Sequence, residues 1–306
     1  MRAAQIAELG AIPTVVETED RGPVEVLAVS LNPLDLAVAA GRFYGGHPDP
    51  PYVPGAEAVG RVDGRRLYMF GEGYGVKRDG FLAERTDFPE ATGVPVPDGV
   101  EDGIAAATGV AGIAAWVPVA WLAEVRPGDR VLVLGATGTV GSIALQAARL
   151  LGAERVVAAG RDAEKLERAR ALGADATVQL EGPDLAERMR AACGGDGPTV
   201  VLDPLWGEPA RAATDAAAPG ARIVNLGQSA GPEATLTSAA VRGKQLVILG
   251  HANVAMTADE RARAYGEVVE HVAAGRIRIE VEAFSLDDVA AAWSAQAAGR
   301  KAVVRM

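Results

Sequence analysis

The sequence predicts an α/β protein: a doubly wound parallel sheet joined to a second, β-rich body. Three observations predict it. Residues 119–250 alternate short Val/Leu/Ile runs with Ala-rich helical patterns. Residues 1–118 hold short apolar runs broken by Gly and Pro. A glycine loop joins one apolar run to the helical pattern after it, in VLVLGATGTVGSIAL at 131–145. With 306 residues, 49% hydrophobic and 23% charged, the chain has globular composition and enough length for about two domains.

The elements follow in order. In the first stretch, VEVLAVS (24–30) and VGRVDG (59–64) are strand-like, and turns are marked by Asn32-Pro33, PDPP at 48–51 and PGA at 54–56. This is irregular β structure. In the middle stretch VLVLG leads into SIALQAARLLG, RVVAAG into DAEKLERARALG, and TVVLDP into EPARAATDAA, before ARIVNLG. Continuous apolar runs are strands buried on both faces, and regular β–α alternation gives a parallel sheet. The last stretch, 251–306, holds a helix (ADERARAYGEVVEHVAAG), a β-like run (RIRIEVEAF), a second helix (LDDVAAAWSAQAAG) and a final strand, KAVVRM. Three stretches need not be three domains: the tail can fold back onto the first, and composition leaves that open.

Charge and cysteine content narrow the function classes. Lys and Arg number 30 against 40 Asp and Glu, a net charge of −10. Such a chain is expected to repel nucleic acid and anionic membranes. The one cysteine, Cys193, excludes an internal disulfide and suits a reducing compartment, so a cytoplasmic protein is expected. The start of the chain has no signal-like apolar region, and no run of about 18 apolar residues predicts a membrane span.

The glycine loop carries the first functional signal. In Ala136-Thr137-Gly138-Thr139-Val140-Gly141 the last fingerprint positions read A-x-G-x-x-G, with a helix expected from near Val140. Gly138 lets the backbone approach a pyrophosphate, Gly141 lets the helix pack closely on its strand, and Thr137 and Thr139 add hydroxyl donors. The helix N-terminus supplies free N–H groups and partial positive charge. Alone, such a loop can also be a tight turn; its setting between strand and helix, in a βαβ unit, is what the Rossmann mechanism requires. The next strand ends in Gly160-Arg161, where an NAD-binding fold places a carboxylate. A guanidinium there suits a 2′-phosphate, with Lys165 one helical turn on. NADPH is therefore the expected cofactor. Asp162 is the competing feature: it either caps the next helix or serves a ribose.

VRPGDRVLVLGATGTVGSIALQAARLLGA (125–153) resembles the cofactor-binding core of the medium-chain dehydrogenase/reductase superfamily, in particular its zinc-free quinone oxidoreductase, zeta-crystallin-like branch. The resemblance continues through AVSLNPLDLAVAAGRFYG (28–45), PYVPGAEAVGRVDG (51–64) and the C-terminal segment from AAGRIRIEVEAF to KAVVRM. It implies a GroES-like β-rich catalytic domain from residues 1–118 completed by 255–306, with a Rossmann NADP-binding domain at 119–254 and cofactor lying across the cleft. It also implies that Asn32 and Tyr44, with Tyr52, act near the nicotinamide as hydrogen-bond or proton donors. It implies cofactor contacts at Gly227, Gln228, Gly250, His251 and Asn253, and a homodimer through the edge run KQLVILG (244–250). Where that branch often has a tyrosine after Gly173-Ala174-Asp175, this chain has ATVQL, which leaves the 2′-phosphate to Arg161 and Lys165.

No zinc is expected. Zinc alcohol dehydrogenases of the superfamily carry Gly-His-Glu where this chain has Gly55-Ala56-Glu57, and one cysteine cannot supply a cysteine-rich structural site. His47, His251 and His271 show no ligand spacing. Without a Lewis acid, activated acceptors are the natural substrates: a quinone or an α,β-unsaturated carbonyl takes hydride into a conjugated system. The alternatives are an enoyl-thioester reductase of fatty-acid or polyketide type, and a cofactor-binding protein with little turnover. No Tyr-x-x-x-Lys occurs, which disfavours a short-chain dehydrogenase.

Overall fold

The computed structural model describes residues 1–306, which divide into two compact units: Met1–Ile113 with Met256–Met306, and Ala114–Ala255. The first unit begins with β1 (Arg2–Gln5) and β2 (Thr14–Glu17), an antiparallel pair, then β3 (Val24–Ser30) and the short α1 (Pro33–Ala39). Next come β4 (Glu57–Val62), β5 (Arg65–Phe70), β6 (Arg85–Thr86) and β7 (Val94–Pro95). Two helices follow, α2 (Asp102–Thr108) and α3 (Val110–Trp116). The sequence pattern predicts irregular β structure for this region; the Ala-rich AAATGVAGIAAW is helical instead, buried almost all round, so no polar face marks its period.

The second unit alternates strand and helix. β8 (Arg130–Leu134) leads to α4 (Thr139–Leu150), β9 (Arg155–Gly160) to α5 (Ala163–Ala171), and β10 (Ala176–Gln179) to α6 (Leu185–Cys193). The chain then returns as β11 (Val200–Asp203), α7 (Gly207–Ala216), β12 (Arg222–Asn225), α8 (Ser238–Gly243) and β13 (Val247–Gly250). All pairings are parallel, in the order β10-β9-β8-β11-β12-β13. This is the Rossmann order, reversing between β8 and β11. Leu132, Leu134, Val157, Val201 and Ile223 fill one core cluster with Met189 and Cys193. Each such aliphatic side chain contributes about 1.5–3 kcal/mol by burial.

The first unit is completed from the far end of the chain by α9 (Ala258–Ala273), β14 (Glu282–Ser285), α10 (Val289–Ala297) and β15 (Ala302–Arg305). Helix α9 opens with a capping box: Thr257 Oγ1 accepts from Glu260 N at 3.2 Å and Thr257 N donates to Glu260 Oε2 at 2.8 Å. Only the last three residues of the β-like run RIRIEVEAF join a strand, Glu282–Ser285. β15 lies between β14 and β3 in the sheet β14-β15-β3-β4-β5-β7, antiparallel to β3 with Val303 opposite Ser30. No single helix is long and apolar enough to cross a membrane; the bent pair Asp102–Thr108 and Val110–Leu122 passes only when joined, and most of it is buried core.

Candidate functional site

The carboxyl edge of the parallel sheet gathers most of the predicted cofactor residues. Strand β8 ends at Leu134, Gly135 turns the chain with φ +60°, and Gly138 is the N-cap of α4. The helix thus starts one residue before Val140. The two fingerprint glycines have different causes. A Cβ on Gly141 would stand 2.6 Å from Ala136 Cα, so helix–strand packing alone demands glycine there. A Cβ on Gly138 would meet only Gly135 O, at 3.5 Å, and its φ of −89° is open to any residue. Nothing in the chain's own packing explains Gly138. No side chain caps α4, and the first intrahelical bond is from Ser142 N to Gly138 O at 2.9 Å, so the amides of Thr139, Val140 and Gly141 have no acceptor in the chain.

At the end of β9, Gly160 makes room for Thr137: a Cβ there would lie 2.9 Å from Thr137 Cγ2. Asp162 is the N-cap of α5, its Oδ1 accepting from Lys165 N at 3.1 Å. Arg161 and Lys165 are exposed beside it, and no carboxylate pairs with either side chain.

The loops after β11 and β12 are tied together by residues that sequence reasoning missed. Asp203 is buried at the end of β11 and accepts from Leu205 N at 2.9 Å and Trp206 N at 2.8 Å. Burial raises its pKa; the two amides pull the other way. Asn225 Nδ2 reaches Asp203 Oδ2 at 3.3 Å and Gly227 O at 2.8 Å. Gly227 is needed for packing, since a Cβ there would be 2.5 Å from Pro204 O; Gln228 beside it is exposed. A Cβ on Gly250 would meet nothing within 4 Å, so this glycine, like Gly138, faces open space. His251 N donates to Asn225 O at 2.8 Å, and its Nε2–H donates to the Asn253 amide oxygen at 2.8 Å. Burial holds the imidazole below its usual pKa, so it is neutral.

The first unit holds a different centre. Glu57 is fully buried at the start of β4. Its Oε1 accepts from Asn32 Nδ2 at 2.7 Å, and its Oε2 accepts from Tyr68 Oη at 2.9 Å and Val110 N at 2.5 Å. Lys301 Nζ donates to Leu31 O at 2.9 Å and Asn32 Oδ1 at 2.7 Å, and lies 3.5 Å from Glu57 Oε1. Asp35 accepts from Asn32 N at 2.7 Å and Ala56 N at 2.8 Å; burial outweighs both bonds and pushes its pKa up to about 6. Burial also lowers the Lys301 pKa and raises that of Tyr68, whose ring stacks on Tyr265 at 4.0 Å.

The three predicted donor residues fare differently. The resemblance implies that Asn32 donates to a substrate carbonyl, but its amide hydrogens go to Glu57 and to Ser30 O at 3.2 Å, and its oxygen to Lys301. It is 2% exposed and has no hydrogen left for a ligand. Tyr52 is likewise 2% exposed; its hydroxyl has no partner, and burial raises its pKa to about 12. A proton that tightly held, on a group shut from solvent, makes a poor acid. Tyr44 is 80% exposed, with its ring 4.5 Å from that of Phe43.

Comparisons with known proteins agree with this geometry. A family model described as zinc-binding dehydrogenase matches residues 139–270. The structure aligns over the full length of both chains with an NAD-dependent alcohol dehydrogenase, at TM-score 0.88 and 29% identity. It aligns equally completely with the quinone oxidoreductase of Thermus thermophilus, solved with NADPH, at TM-score 0.82 and 29% identity. The chain belongs to the medium-chain dehydrogenase/reductase superfamily. Among the curated relatives of this superfamily member is a phenolphthiocerol/phthiocerol polyketide synthase component of Mycobacterium tuberculosis, 31% identical over 92% of the chain. The chain spans 13% of that protein's length. The matched family model carries zinc in its description, but the donors for a zinc ion do not stand together here. No group of three His, Cys, Asp or Glu side chains is placed to hold a metal.

Proposed function

We propose that the chain is a zinc-independent, NADPH-dependent oxidoreductase acting on a quinone or an α,β-unsaturated carbonyl. The observation that carries it is the pair Gly138 and α4: a glycine with no packing reason, set before helix amides with no acceptor. That is the cradle a pyrophosphate needs. Arg161 and Lys165 are the groups for the 2′-phosphate, with Asp162 beside them as the cap of α5. The bound cofactor supplies hydride. The protein's part is to hold it and to receive the negative charge that develops on the acceptor's oxygen. Tyr44, exposed and with a hydroxyl free to turn to a ligand, is the donor we assign; Asn32 acts behind it by fixing the start of α1. Gly250, at the end of β13, and His251 just after it complete the cofactor set.

The likeness to a polyketide synthase over 92% of the chain favours a second reading, an enoyl-thioester reductase. One assay separates them. Loss of reduced-nicotinamide absorbance is followed with NADPH and with NADH against quinones, enones and enoyl thioesters. Turnover of quinones or enones with NADPH supports the first reading, and turnover confined to thioesters supports the second. NADPH binding without turnover of any acceptor leaves a cofactor-binding protein, and preference for NADH removes the role of Arg161. We further propose a cytoplasmic homodimer paired through β13, where Val247 is 45% and Ile248 37% exposed on an edge strand. Sedimentation as a monomer contradicts the dimer.

A further inference from the structure

Trp206 stands in a backbone conformation that belongs to glycine. Its φ of 57° and ψ of −158° lie at the edge of a region that L side chains scarcely enter, and it is followed by Gly207 at φ +63°. The surrounding structure forces the position. Asp203 takes the amides of Leu205 and Trp206, Ala230 N donates to Leu205 O at 2.8 Å, and Ser229 Oγ donates to Pro204 O at 3.3 Å. Leu205 Cδ2 lies 3.1 Å from where a Cβ on Gly135 would be, and Gly227 packs on Pro204 from the other side. The loop is thus clamped between the glycine loop and the loop after β12, at the reversal of strand order between β8 and β11. A glycine would fit that backbone without strain. A large aromatic side chain is held there instead, half-buried, outside the core cluster, with its indole N–H unpartnered.

We infer that Trp206 is a cofactor-positioning residue: its indole forms a wall of the dinucleotide site at the switch point and donates its N–H to a ribose or phosphate oxygen. The strained backbone, not a core contact, fixes where the ring stands at the switch point between β8 and β11. This deepens the proposed function and rests on NADPH binding to the second unit.

The test uses the full chain. NADPH affinity is measured by calorimetry, with thermal melting in parallel, for the native protein, Trp206→Gly and Trp206→Phe. The expected result is about tenfold weaker NADPH binding in Trp206→Gly, the loss of the indole wall and its hydrogen bond, with a Tm no lower than native because strain is relieved. Trp206→Phe keeps a ring but no N–H and falls between. Indole-labelled native protein gives an independent reading: of the four tryptophan N–H resonances, the one absent in Trp206→Phe shifts on adding NADPH. If the native protein binds NADPH, but Trp206→Gly binds it within twofold of native or the Trp206 resonance stays still at saturation, this inference is overturned and the proposed function stands. If the native protein does not bind NADPH, both fall.

Discussion

The two polar centres of this molecule are built in opposite ways. In the first unit Asn32, Glu57, Tyr68 and Lys301 close on one another, and each hydrogen bond has its partner inside the chain. In the second, the carboxyl edge leaves donors unanswered, the first amides of α4 and the Arg161 guanidinium, and leaves open space at Gly250. A closed centre shows itself in stability, and an open one in binding. Both are dense in polar residues, so residue type alone does not tell them apart; what does is whether the chain itself supplies the partners.

The largest expected effect lies in the closed centre. Lys301→Ala leaves Glu57 buried without its cation and should cost about 3–5 kcal/mol in chemical denaturation. An unchanged denaturation midpoint would break the comparison at its first term. Asp35 sharpens it through pH. Its pKa is about 6 in the fold, above the ordinary 3.8, so the native state holds a proton that the unfolded chain has already released. The stability this gives is complete below about pH 4 and is lost as pH rises through about 6, a difference of roughly 3 kcal/mol at most. Denaturation midpoints from pH 4 to 7 should show that fall, and Asp35→Asn should flatten it.

The glycine pair tests both centres' logic within one loop. Gly141→Ala drives a methyl into Ala136 and should cost about 1–3 kcal/mol of stability. Gly138→Ala has space for its methyl, so melting should stay within about 1 °C of native while NADPH affinity falls by about tenfold or more. Equal melting losses in the two variants would mean that the loop is only a packed turn. The smallest and most selective effect is expected from Arg161→Ala: no change in melting, about tenfold weaker NADPH binding, and unaltered NADH binding.

The open site was more legible in the sequence than the closed one, and the reason is distance along the chain. Strand, glycine loop and helix N-terminus are contiguous, so their local chemistry writes itself into one short stretch around Gly138. The buried parallel strands show equally well, because burial on both faces leaves unbroken apolar runs such as RVLVL. Asn32 and Lys301, by contrast, are 269 positions apart, and a lysine near a final strand carries no local mark of a buried partner. That is why Asn32 reads as a substrate donor until its bonds are traced. Trp206 is illegible for another reason: an unfavourable φ leaves no trace in composition, since the sequence shows the residue but not the conformation imposed on it.

The placement of β15 beside β3 has a consequence for the order of events during synthesis. Everything between Ile113 and Met256 can emerge and fold as a self-contained αβ unit, while β3 already made upstream lacks its neighbour. About 190 residues separate the end of the first segment from β15, so at about 5–20 residues per second the earlier half-sheet waits roughly 10–40 s with an unpaired edge. During that interval the nascent chain is most exposed to strand exchange with other chains, and a ribosome paused late in the message would prolong it. β15 is the strand that ends the wait.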